Sequence, residues 1–169
     1  QNSIERHGDD RYDAALTEQF LETFEESKTQ VDNLFSTLKE IGRTEMEQFA
    51  GITETSLRQL GGDTDLFLAL GVSPDSKIYP AQHSLQTSML ALAIGSRFGL
   101  DKRNLVQLGI GCLAHDAGMM EVDQELIACK SPLDPMRFLE ITRHPTATFD
   151  KMCNVQQLAG ASRLVAYQM

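Results

Sequence analysis

The chain has 169 residues, 41% of them hydrophobic and 7% aromatic, with no tryptophan, five prolines and twelve glycines. That is enough chain for one packed domain and excludes collagen-like and low-complexity classes. The formal net charge of −9 sits entirely in the first half. Residues 1–78 carry 16 acidic and 7 basic side chains, whereas residues 79–169 carry 8 of each. A field of this sign repels polyanions and argues against DNA or RNA as partners. No apolar run approaches the roughly 20 residues of a membrane-spanning helix.

The periodicity is helical nearly throughout and predicts an all-α chain. Leu16, Phe20 and Phe24, then Val31, Leu34, Phe35, Leu38 and Ile41, trace one amphipathic helix over about 13–41. Glu18, Glu22, Glu25 and Glu26 fall on its opposite face, and Gly42 is the expected stop. Such a helix suits a second copy of the chain, an upstream sensor module, or one side of the protein's own core. A second helix is expected over 44–60, ended by Gly61-Gly62, then a short apolar piece at 66–70 and a loop over 71–77.

Pro80 opens a further helix reaching Phe98, with a broad apolar face through Leu85, Met89, Leu92, Ala93 and Ile94. Asp101 is a good N-cap for the next helix, which is apolar almost all round and so should lie at the centre. Asp134-Pro135 starts a helix ending near Arg143, Pro145 starts another piece, and a last helix is expected over 155–169. No strand is expected. The first residue is Gln and the last helix has no stop signal, so a piece of a longer protein is the expectation. Cys112, Cys129 and Cys153 lack Cys-x-x-Cys spacing, so they read as small core residues of a cytoplasmic protein.

The chemistry-bearing residues are His83, His115 and His144, 32 and 29 residues apart and on three different predicted helices, with Asp116 directly after His115. Adjacent helical residues point about 100° apart, so a His-Asp doublet at a helix end can send an imidazole and a carboxylate into one cavity. The two oxygens of Asp116 can bind two cations, and paired cations about 3.5–4 Å apart can hold a hydroxide nucleophile against a phosphoryl group. Imidazole with carboxylate suits Fe, Mn or Zn better than Ca or Mg. A histidine of this kind is more often a hydrogen-bonded core residue. An ionisable pair at the end of the apolar run Leu105–Ala114, however, needs compensation.

These residues carry a resemblance. Ile110-Gly-Cys-Leu-Ala-His115-Asp116-Ala-Gly118-Met119 resembles the His-Asp-x-Gly-Lys core of the HD-GYP family of HD phosphohydrolases. Tyr79-Pro-Ala-Gln-His83-Ser84 is similar to that family's entry to its first core helix. Leu126-Ile-Ala-Cys-Lys130-Ser-Pro-Leu133 is similar to its lysine loop, and Arg143-His144-Pro145 to its His-Pro element. The resemblance implies an HD-domain helical bundle over 61–169, behind an acidic helical stem over 1–60, in a bacterial signalling protein. Its activity would be hydrolysis of a cyclic dinucleotide, cyclic di-GMP, at two or three divalent ions, iron or manganese.

By the same resemblance His83, His115 and Asp116 hold one metal, Asp116 and His144 a second with Asp116 bridging as the catalytic carboxylate, and Lys130 contacts substrate. Two departures bear on this. Met119 stands where the family has lysine, so Met119→Lys is expected to raise turnover. Tyr79 stands where three-metal members have a glutamate, which favours two ions. The family's remaining ligands and its Gly-Tyr-Pro loop would fall beyond Met169, so this segment by itself is expected to be inactive or metal-poor. The alternatives are a related domain that has lost catalysis and serves as an interaction module, or another HD hydrolase acting on nucleotides or phosphomonoesters.

Overall fold

The computed structural model describes residues 13–41, 44–73 and 79–169. It is an all-α bundle with one minimal pair of strands. Helix α1 (Ala14–Glu40) begins where the Asp13 carboxylate accepts from the Ala15 and Leu16 amides. Phe20, Phe24, Val31, Leu34, Phe35 and Leu38 are all buried along it, while the four glutamates of the opposite face are exposed. Ile41 lies past the last turn and is exposed; the stop assigned to Gly42 lies outside the described residues. The stripe joins Leu85 and Met89, Ile110 and Leu113, and Met152 in one apolar cluster. The acidic first stretch therefore contributes a wall of the core that supports the histidines.

Residues 44–62 differ from expectation at both ends. Thr44–Glu45 forms strand β1, α2 covers Met46–Gly62, and Gly61-Gly62 stay helical because Asp63 takes the cap. Asp63 also caps α3 (Thr64–Gly71) through the Leu66 amide. Gly51 lies exposed within α2, and a β-carbon there would meet nothing within 4 Å. Gly51→Ala is expected to stabilise the chain by about 0.5–1 kcal/mol, because alanine loses less backbone entropy in a helix. A thermal melt of the two proteins checks this.

Helix α4 (Ala81–Arg97) buries Leu85, Met89 and Leu92, four and three residues apart. Ile94 is exposed, which corrects the broader face expected. It lies nine residues after Leu85, and nine steps of about 100° carry it to the far side of the helix. Helix α5 (Lys102–Ala114), capped by Asp101 through the Asn104 amide, packs against α2, α4 and α9. Gly111 makes that central position possible, since a β-carbon there would come within 2.5 Å of Val165.

Beyond α5 come a 3-10 turn (Ala117–Glu121), α6 (Gln124–Ile127), α7 (Pro135–Thr142) and α8 (His144–Cys153). Asp134 caps α7 through the Met136 and Arg137 amides, as the Asp-Pro pair suggested. The last expected helix is shortened. Val155–Gln156 forms β2, parallel to β1 with Thr44 opposite Val155, and α9 covers Gly160–Gln168. Gln157 at φ 59° separates the two, because a left-handed residue cannot continue a right-handed helix. Two-residue strands carry no alternation and escape a periodicity reading. Of the cysteines only Cys112 is buried, its thiol pushed up to about 11 by burial. Cys129 and Cys153 are exposed, so they are not core residues.

Candidate metal centre

Three helix ends deliver the site. His83 lies in the first turn of α4, His115 caps the C-terminus of α5, and His144 is the first residue of α8. Asp116, between α5 and the 3-10 turn, is 4% exposed and lies among all three rings. His115 Nε2 is 3.4 Å and His144 Nε2 3.5 Å from Asp116 Oδ1, while His83 Nε2 is 3.8 Å from Oδ2. The His83 and His115 ring centroids are 5.3 Å apart.

The tautomers follow from the backbone. His115 Nδ1 lies 2.7 Å from the Cys112 carbonyl and His144 Nδ1 2.7 Å from the Ile141 carbonyl. A carbonyl only accepts, so each Nδ1 carries a proton and, in a neutral ring, each Nε2 presents a bare lone pair. Burial drives the His115 pKa down, against the opposing pull of Asp116, which favours the neutral ring. Both Nε2 atoms face Oδ1 at distances too long for charge-assisted hydrogen bonds. Two ligand atoms each about 2.1 Å from one ion, at a tetrahedral angle, lie about 3.4 Å apart. The spacing and the donor set both fit a cation: a carboxylate and two imidazole nitrogens converge in a buried space.

His83, His115 and Asp116 offer ligand atoms all within 4.8 Å of one another and can hold a metal ion. His144 adds an imidazole on the same carboxylate oxygen. Lys130, by contrast, is exposed and makes no hydrogen bond or ion pair among the described residues.

Three supporting residues were not assigned these roles from the sequence. The Tyr79 hydroxyl donates to Asp116 Oδ2 at 2.9 Å. Thr148, fully buried one turn beyond His144, donates to the His115 carbonyl and accepts from the Gly118 amide, both at 2.8 Å. It thereby ties α8 to the His-Asp turn. Gly118 permits that approach, since a β-carbon would fall 2.3 Å from the His144 carbonyl oxygen. Thr148 has only its position one turn after a histidine as a signal, and Tyr79 only its place in the quoted segment.

Met119 is buried with Val122 and Leu126, against partly buried Tyr79, Leu133 and Ile141. A lysine there would have to lodge an ammonium in that apolar cluster. Met119→Lys is therefore expected to destabilise the chain by about 2–4 kcal/mol, scored by urea midpoint, rather than simply add a cation to the site.

The chain is thus an all-α protein with a histidine–aspartate centre able to hold a metal ion. Comparison with family models, curated proteins and solved structures finds no match for it.

Proposed function

We propose that this chain is the N-terminal portion of an HD-GYP-type domain, and that the intact domain performs metal-dependent hydrolysis of a cyclic dinucleotide, with cyclic di-GMP as substrate. One observation carries the reading: three imidazoles from distant stretches meet one buried carboxylate, with the Nε2 atoms of His115 and His144 turned towards it. The resemblance of the four quoted segments to the HD-GYP family supplies the reaction class. In this reading the protein is a cytoplasmic bacterial signalling protein, and α1 meets an upstream module or a second copy.

His83, His115 and His144, with Asp116 between them, would hold two divalent ions, iron or manganese. When bound, such ions supply Lewis acidity towards a phosphoryl oxygen and lower the pKa of water. The protein's part is positional. The Cys112 and Ile141 carbonyls hold the His115 and His144 tautomers, and Thr148 locks the turn carrying His115. Such outer contacts are typically worth about 10–100-fold in metal affinity.

A second reading, a domain that has lost catalysis and serves as an interaction module, is favoured by Met119 in its apolar cluster and by the solvent exposure of Lys130. Elemental analysis of the intact protein purified without oxygen, followed by incubation with cyclic di-GMP, separates the two. Iron or manganese together with a linearised product is expected. Stoichiometric metal with no turnover of any cyclic dinucleotide leaves the interaction module. Absence of any bound metal overturns the centre itself.

A further inference from the structure

Tyr79 precedes Asp116 by 37 residues, yet its hydroxyl reaches Asp116 Oδ2 at 2.9 Å. The ring is held on two sides: it packs against the Met119, Val122 and Leu126 cluster, and its centroid lies 5.9 Å from the His83 ring. The phenol is therefore positioned rather than swinging.

This makes the two carboxylate oxygens unequal. Oδ1 faces His115 Nε2 and His144 Nε2 at 3.4 and 3.5 Å, and among the described residues no donor is hydrogen-bonded to it. Oδ2 already shares its charge with the phenol proton, and His83 Nε2 lies 3.8 Å from it. A carboxylate that bridges two ions must give one oxygen to each. Oδ1 is ready for the first ion, and the second must take Oδ2.

We infer that Tyr79 makes the two ion positions of this centre unequal: one ion loads readily at Oδ1, and a second must share Oδ2 with the Tyr79 hydroxyl and is held more weakly. The inference rests on the metal reading of the site given above. Its consequence there is an unequal pair, with the second ion the weakly held one. A hydrogen bond to a charged group is worth about a tenfold change in such an equilibrium.

The test is Mn²⁺ binding to the 169-residue chain and to Tyr79→Phe, by equilibrium dialysis and electron paramagnetic resonance. Phenylalanine keeps the ring and its packing, and a circular dichroism spectrum verifies the fold. The unsubstituted chain should bind one Mn²⁺ with a second at least about tenfold weaker, giving the six-line signal of an isolated ion. In Tyr79→Phe the second ion should tighten about tenfold, the first should be unchanged, and the signal should become that of a coupled pair. Equal second-ion affinity in the two proteins, or a change confined to the first ion, overturns the inference and leaves the metal centre standing. No Mn²⁺ on either protein overturns the metal reading.

Discussion

Asp116→Ala is expected to lower Mn²⁺ affinity by more than about a hundredfold, since even the outer contacts of a metal ligand are worth about 10–100-fold. Asp116 is the single residue that all three histidines approach, so no remaining pair of rings shares an anionic ligand. The same substitution should act oppositely on the metal-free protein. It removes a buried carboxylate whose hydrogen bond among the described residues is the Tyr79 hydroxyl, and which the Nε2 atoms of His115 and His144 face at distances too long for a strong hydrogen bond. The metal-free variant should therefore melt at or above the unsubstituted metal-free chain. Mn²⁺ at a hundred times its dissociation constant should raise the unsubstituted chain by about 2.7 kcal/mol, or roughly 5–10 °C, and leave the variant unmoved. Two thermal melts with and without Mn²⁺ decide the matter. A variant that keeps its metal-induced shift would place the ion elsewhere.

Gly118→Ala is the second large effect. The added β-carbon would meet the His144 carbonyl oxygen at 2.3 Å, the Thr148 amide nitrogen at 2.7 Å and the Thr148 hydroxyl at 2.8 Å. Two of those are backbone atoms of α8, so no side-chain rotation relieves the contact; the helix must retreat. Overpacking of this kind costs about 1–3 kcal/mol, and a backbone neighbour puts the cost at the upper end. Retreat of α8 also takes His144 from Asp116 and breaks the Thr148 link to the His115 carbonyl. A melting point lower by about 6–12 °C and metal affinity reduced at least tenfold are expected together. Lost stability with unchanged affinity would show that His144 takes no part in holding the ion.

Much of the helical frame was legible in the residues. Asp13, Asp101 and Asp134 announce helix starts because a short carboxylate satisfies orphan amides locally. The α1 stripe is legible because burial on one side of a helix repeats every three to four residues. Breadth of burial was not legible. Ile94 reads as part of an apolar face but points outward, and Cys129 and Cys153 resemble Cys112 in composition while lying at the surface. Hydrophobic identity states what a residue tolerates, and only the neighbours state where it sits.

The candidate site divides along the same line. The sequence by itself determined the donor types, the His-Asp doublet at the end of an apolar helix, and the placing of His83 and His144 on two further helices. These are local or ordered properties of the chain. Only the tertiary structure decided that the three rings share one carboxylate and that Tyr79 claims one of its oxygens. It also decided that Met119 belongs to packing, whereas Lys130 remains exposed. The contacts of Asp116 with Tyr79, His83 and His144 join residues 37, 33 and 28 positions apart, and no short-range preference encodes a distance between atoms that meet only when separate helices close on a common core.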